Sequence, residues 1–262
     1  MPARDRAPLG APIWIDLSSA DTASAIDFYG TLFGWEAFVG PPEYGGYVTF
    51  SKGGARVAGM MQNPAGSGFP DGWGTFFAVS DTGATVAAVE DNGGRVLVEP
   101  MTVDVQGTMA VFLDSTGSMF STWQPGDNTG TELRDEPGAP AWHELVTRDY
   151  AASLAFYTTV FGWQTRVESD TDEFRYTVHV VDGLELSGVM DGAQVLPEGT
   201  TGSWTVYFWV DDVDATVEQA VTHGGAVVEA AEDSPYGRMA TLADPTGARF
   251  SVLEMEKATE EP

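Results

Sequence analysis

Two carboxylates stand next but one to tryptophans at matching places in the chain: Trp14-Ile15-Asp16 and, far downstream, Trp142-His143-Glu144. If these segments are strands, alternation puts Trp14 and Asp16 on one face of theirs and Trp142 and Glu144 on one face of theirs. Indole rings offer flat apolar faces to an aromatic molecule and attract cations. A carboxylate beside them could pair with an amine or accept a hydroxyl. The same two acids could instead work as general bases, because burial raises a carboxyl pKa towards neutrality. Asp16 and Glu144 are therefore the candidate catalytic residues, and Trp14 and Trp142 the first candidate ligand-binding residues.

Alternation extends that set. It turns Ser121 and Trp123 to one face, and likewise Thr205, Tyr207 and Trp209. The duplicated pair Trp73 and Trp204 is added as candidate ligand-binding. Tyr236 and Arg238 lie in a loop before a late strand, where they could close over a ligand or serve as ordinary turn and surface residues. The histidines are His143, His179 and His223, far apart in sequence. Alternation sends His143 to the side opposite Glu144, and only a one-residue slip would bring it back for metal binding or acid–base work. His223 precedes Gly224-Gly225 and reads as a helix C-terminal cap; His179 receives no role. Without cysteine, disulfides, thiolate metal sites and cysteine nucleophiles are excluded. The glycine pairs lack the strand–turn–helix context of a nucleotide-binding loop, and no His-Glu-x-x-His, Walker loop or Gly-x-Ser-x-Gly elbow is present.

The elements that must hold these residues come in duplicate. Phe28-Tyr29-Gly30-Thr31-Leu32-Phe33-Gly34-Trp35 returns as Phe156-Tyr157-Thr158-Thr159-Val160-Phe161-Gly162-Trp163, and Asp114-Ser115-Thr116-Gly117 returns as Asp244-Pro245-Thr246-Gly247. Repeats of this size are whole domains, too long for solenoid units. The halves span 11–124 and 140–256, joined by a Pro-, Gly- and Asp-rich linker at 125–139. Within each half a strand leads into a helix capped by an aspartate (Asp21, Asp149) and closed by a glycine (Gly34, Gly162). In the first half, strands follow near 35–39, 47–51 and 55–61. A second strand–helix unit comes next, with its helix at Thr82–Asn92 and strands around Val96, 109–113 and 119–123. Asp114 and Asp244 are turn formers that cap the following backbone. The order βαβββ–βαβββ, given twice, makes an α+β fold and argues against a Rossmann-type sheet.

Composition sets the outer bounds. The chain has 262 residues, 43% of them hydrophobic, with 12 basic residues against 39 acidic and a formal charge of −27. It can bury a core. Nothing in it could replace the counterions of a phosphate backbone, so nucleic acid and an anionic membrane surface are excluded as partners. A negative field enriches cations, basic small molecules among them. The polar, proline-broken start at Met1 to Leu9 carries no export signal, and no run is long enough to span a membrane, so the expected location is the cytoplasm.

The Asp…Phe-Tyr…Phe-Gly-Trp helix, the Val210-Asp211-Asp212-Val213-Asp214 strand exit and the Asp-Pro-Thr-Gly turn together resemble the vicinal-oxygen-chelate superfamily, the glyoxalase, bleomycin-resistance and dioxygenase group. More narrowly, the chain is similar to tandem glyoxalase-like proteins of actinomycetes. The resemblance covers both halves and implies two tandem domains, each of two βαβββ modules with curved mixed sheets around a cavity. In that group a metal is held from the first, fifth and last strands. By spacing those positions carry Trp14, Gly74 and Ser121 in the first half and Trp142, Thr205 and Ser251 in the second, which are poor ligands for a divalent ion. Ser121 and Ser251 join the ligand-binding candidates, and no metal or cofactor is expected. The implied function is metal-independent binding of a polycyclic aromatic, possibly cationic, small molecule, in self-resistance or as an auxiliary of natural-product tailoring, by a monomer or homodimer. The alternative is a lyase, isomerase or oxygenase of the same group using Asp16 or Glu144 as base.

Overall fold

The computed structural model describes residues 7–134 and 136–254. The position 135 inside the expected linker and the last two positions of the expected second half, 255 and 256, lie outside the described residues, as do 1–6.

The element order is the duplicated one. Strand β1 (Pro12–Ser19), helix α1 (Thr22–Phe33) and strands β2 (Glu36–Val39), β3 (Val48–Lys52) and β4 (Ala55–Gln62) make one βαβββ module. Strand β5 (Gly72–Ala78), helix α2 (Thr82–Asp91) and strands β6 (Arg95–Val103), β7 (Gly107–Leu113) and β8 (Met119–Pro125) make the next. The second half repeats the scheme with β9 (Pro140–Thr147), α3 (Tyr150–Phe161), β10 (Thr165–Asp170), β11 (Arg175–Val181) and β12 (Leu184–Asp191). It closes with β13 (Ser203–Val210), α4 (Val213–Thr222), β14 (Ala226–Ser234), β15 (Gly237–Ala243) and β16 (Arg249–Glu254). Strands β2-β3-β4-β1-β5-β8-β7-β6 form one mixed sheet, and β10-β11-β12-β9-β13-β16-β15-β14 the other. Parallel pairs such as β1 with β4 and β13 with β16 sit among antiparallel hairpins.

The helix ends are set by the expected residues. Asp21 accepts from Ser24 N at 3.0 Å, and Gly34 closes α1 at φ 69°, a left-handed conformation that costs glycine nothing. Asp81 and Asp212 cap α2 and α4 in the same way. Asp149 sits at the N-cap of α3 without that side-chain bond. Helix α2 stops one residue earlier than the pattern suggests, with Asn92 as its cap.

The compact units do not follow the sequence halves. One gathers the described residues up to Ile15, Gly74–Thr131 and Trp142–Thr205; the other gathers Asp16–Trp73, Glu132–Ala141 and Val206 onward. Each therefore contains material from both halves. In the first unit the core packs Phe77, Phe112 and Phe120 with Phe156, Tyr157, Trp163 and Trp204. In the second, Tyr29 stacks on Trp35 at 5.8 Å and meets Trp73 and Phe250 edge-on at 5.2 and 5.6 Å. The repeated Phe-Tyr…Phe-Gly-Trp motif is thus an aromatic core, and burying such rings supplies much of the driving force for folding.

The motif's tryptophans also tie down the chain that enters each half. Trp35 Nε1 donates to the Gly138 carbonyl at 2.9 Å, and Trp163 Nε1 donates to the Gly10 carbonyl at 2.8 Å. The segment between the halves is well anchored: Glu132 N donates to the Arg56 carbonyl at 2.8 Å, Lys52 Nζ to the Pro137 carbonyl at 2.6 Å, and Gly138 N to the Trp209 carbonyl at 2.6 Å. Its composition is that of a linker; its hydrogen bonds are those of a strap.

Candidate functional site

Strand alternation places the candidates on two kinds of surface. On β8, Phe120 enters the helix-side core while Trp123 faces the other way; on β5, Phe77 does the former and Phe76 the latter. The face opposite the helices is the one available to a ligand.

In the first compact unit that face is filled at one place and partly exposed at another. Trp14 and Trp123 pack with Ile13, Phe76 and Ala78, leaving the two indoles 4% and 6% exposed. Trp123 Nε1 is engaged by the Asn128 carbonyl at 2.8 Å. Ser121 is buried beside Phe76 in register. Around Trp142 the surface is different. Trp142 and Glu144 are half-buried, and Trp142 Nε1 donates to Tyr176 Oη at 2.9 Å. Phe174 stacks on Tyr176 at 5.6 Å between centroids and is itself exposed. Glu144 lies opposite Gly188 in register, and a Cβ on Gly188 would fall 2.0 Å from Tyr176 Oη. The glycine is what lets the hydroxyl end of the phenol approach strand β12 so closely. The exposed Phe174, the buried Tyr176 and the half-buried Trp142 form an aromatic shelf, and Glu144 lies two residues from Trp142 on the same face of β9.

In the second compact unit the equivalent corner holds an acid pair. Tyr47 Oη donates to Asp16 Oδ1 at 2.5 Å, over Gly59, which is opposite Asp16 in register. A Cβ at Gly59 would sit 1.8 Å from Tyr47 Oη and 2.0 Å from Asp16 Oδ1. On the strands of the last module, Tyr207 and Trp209 are half-buried, and Ser251 lies opposite Tyr207 in register.

These placements correct the reading of Trp73 and Trp204 as ligand-binding, and for Tyr236 and Arg238 they favour the turn-and-surface role over closure on a ligand. Trp73 and Trp204 turn away from the ligand-accessible face into the helix-side cores, where Trp73 Nε1 donates to Tyr29 Oη at 2.9 Å and Trp204 Nε1 to Tyr157 Oη at 2.8 Å. Their strand position alternates with Gly74 and Thr205, so they share the parity of core Phe77 and Phe208. Arg238 is held on the helix side by Asp214 of α4, through two bonds of 2.9 Å, and by Asp233 at 2.9 Å. The guanidinium holds the Asp214 carboxyl below the usual range. Tyr236 is an exposed turn residue whose backbone N–H is taken by Ser234 Oγ at 3.1 Å.

The histidines are structural. His143 faces the helix side, with Nδ1 3.1 Å from Thr75 Oγ1 in the core. His223 Nδ1 meets the Gln219 carbonyl at 2.8 Å as a C-cap. His179 stacks flat on Trp163, 4.4 Å between centroids at an interplanar angle of 6°, and burial pushes its pKa down to about 4. Asp114 and Asp244 cap their own turns as expected and do more. Asp244 Oδ1 accepts from Thr246 N and Ala248 N while Oδ2 accepts from Tyr29 Oη at 3.2 Å; Asp114 does the same for Thr116 N, Ser118 N and, at 3.1 Å, Tyr157 Oη. Burial, then the neighbouring aspartate, raises both tyrosine pKa values well above the ordinary phenol value.

A divalent metal, which related folds hold, does not fit the residues present. The spacing-matched positions carry an indole donating to a tyrosine at Trp142, an indole in an apolar cluster at Trp14, and hydroxyls at Ser121, Thr205 and Ser251. Among the described residues no group of three or more histidines or acids is arranged to hold an ion. Nor, among them, is any helix long and apolar enough to cross a membrane.

Reading the sequence for acids and tryptophans missed Tyr47, Tyr176, Gly59 and Gly188. A signal was available: Tyr47 recurs as Tyr176 and Gly59 as Gly188, both pairs shifted by the same 129 positions. A tyrosine and a glycine kept in step on adjacent strands is the pattern of a ring laid over a bare backbone.

Comparison with known proteins agrees with this architecture. The anthracycline biosynthesis protein DnrV of Streptomyces peucetius is 40% identical over 95% of this chain and 94% of its own length. DauV of Streptomyces sp. strain C5, also an anthracycline biosynthesis protein, is 39% identical over the same shares. Among solved structures, the Mn(II)-bound glyoxalase from Novosphingobium aromaticivorans superposes with a TM-score of 0.65 over 94% of this chain and 82% of its own, at 16% identity, a likeness of fold. The family model of the Glyoxalase/Bleomycin resistance protein/Dioxygenase superfamily matches residues 12–122 and again 140–252, and the chain belongs to that superfamily.

Proposed function

We propose that this protein is a metal-independent binder of a planar polycyclic aromatic small molecule, serving natural-product formation or self-protection. The observation that carries the reading is the shelf of Phe174, Tyr176 and Trp142, with Glu144 on the same strand face as Trp142 and opposite Gly188 in register. Stacked rings and an indole present apolar faces that a fused-ring ligand can cover, and the carboxylate supplies a polar anchor for a hydroxyl or amine. The kinship with DnrV and DauV supports a fused-ring ligand. The protein on this reading works in the cytoplasm as a monomer or homodimer. The test is titration with a hydroxyanthraquinone: saturable binding without turnover is expected, and Trp142→Ala should weaken it by roughly 1–3 kcal/mol. Unchanged affinity in both Trp142→Ala and Phe174→Ala would remove the shelf from the function.

One observation favours an enzyme as the second reading. The Tyr47 phenol donates to Asp16 at 2.5 Å, which orients a carboxylate that could serve as base on an acidic aromatic or carbonyl substrate. That reading requires turnover with a carboxylate limb in the pH–rate profile, lost in Asp16→Asn.

A further inference from the structure

A second polar construction lies on the ligand-accessible face of the last module, wholly within the second compact unit. Tyr207, Ser251, Thr241 and Glu229 follow one another across strands β13, β16, β15 and β14 in register. Thr241 Oγ1 donates to Glu229 Oε2 at 2.8 Å, and Thr241 Oγ1 and Ser251 Oγ are 3.1 Å apart. Ser251 is 1% exposed while Glu229 stands in solvent, so the strip runs from the floor of the sheet to its edge.

Proton counting fixes the polarity of this strip. Thr241 has one hydroxyl proton, and a carboxylate can only accept, so that proton goes to Glu229. The Ser251 proton must then go to Thr241. Ser251 Oγ is left presenting lone pairs, and Glu229 presents its remaining carboxylate capacity. The strip is therefore a row of acceptors ending in a negative charge. The half-buried ring of Trp209 faces the same side two residues beyond Tyr207, and an indole face attracts a cation. In the first half the corresponding register reads Phe76, Ser121, Val111 and Val98, with no acid and no second hydroxyl.

From this geometry we infer that Glu229, Thr241 and Ser251 form a subsite for the protonated amine of an organic cation, with Trp209 flanking it. An ammonium brings only donors, which is what a row of acceptors pairs with, and it carries the charge that Glu229 complements. The inference concerns a different unit and a different chemical group from the aromatic shelf, and stands without it.

Calorimetric titration with tryptamine and with 3-propylindole, its uncharged counterpart, tests the inference on the full-length protein. Wild type is expected to bind tryptamine about tenfold or more tightly than 3-propylindole, because a charge-assisted bond is added. Glu229→Gln should abolish the preference, and Thr241→Val should reduce it by disconnecting the strip. Glu229 is exposed, so its variant is expected to keep the wild-type melting temperature. Equal affinities for the two probes, binding of neither, or a preference that survives Glu229→Gln would each overturn the subsite. The hydroxyanthraquinone titration of Trp142→Ala is a separate measurement, so either conclusion can fail alone.

Discussion

Tyr29 Oη donates to Asp244 Oδ2 at 3.2 Å across 215 residues of chain. The tyrosine belongs to the first helix, the aspartate to the last turn, and Trp73 Nε1 donates to the same phenol oxygen. Asp244 thus holds its own turn with one oxygen and the first helix with the other. Tyr29→Phe leaves the Trp73 indole N–H and one carboxylate oxygen unsatisfied in the core. A loss of about 1–3 kcal/mol in urea unfolding is expected, with Asp244→Ala costing more because the turn amides lose their acceptor as well. A Tyr29→Phe protein as stable as wild type would show that the bond contributes nothing.

His179 should make the protein acid-sensitive. Its folded pKa of about 4 lies below the ordinary 6.5, so the unfolded chain binds the extra proton between those values. Stability is unaffected above pH 6.5 and falls as pH drops from 6.5 towards 4, by an amount on the order of 1–3 kcal/mol. His179→Phe keeps a ring to stack on Trp163 and cannot be protonated. Relative to wild type it should gain stability progressively over that window, read from denaturant midpoints at a series of pH values. Parallel pH profiles for the two proteins would discard the assignment.

Gly59 admits no side chain while Tyr47 and Asp16 keep their places. Gly59→Ala should lower stability by about 1–3 kcal/mol, because its Cβ would coincide with the phenol oxygen. Removing the ring with Tyr47→Ala in the same chain should recover part of that loss, since the two changes act on one space. Additive losses in the double variant would mean that the strain lies elsewhere.

The fold was legible because it rests on local signals repeated twice. Asp-capped helices, glycines at helix ends and the two Asp-x-Thr-Gly turns each mark an element within a few residues. Alternation also read correctly that His143 faces away from Glu144. Two things escaped. A duplicated tryptophan pair reads as ligand-binding at Trp73 and Trp204, yet parity with Phe77 and Phe208 puts both in the cores. The exchange of partners between halves, Tyr29 with Asp244 and Tyr157 with Asp114, leaves no trace in spacing, since nothing local says which copy of a turn a tyrosine will meet. Glu229 was invisible for another reason: its role depends on the register of three strands, and register is settled by tertiary pairing.

The bond between Tyr29 and Asp244 also has a bearing on biosynthesis. A ribosome adding about 5–20 residues per second needs on the order of 10–40 seconds to cover the 215 residues between the two partners. For most of that interval Phe28, Phe33 and Trp35 have been made while Phe208, which packs on Phe33 and Trp35, has not, and Phe250, which packs on Phe28, follows only after it. The nascent N-terminal module therefore emerges before the rings that complete its aromatic core have been made.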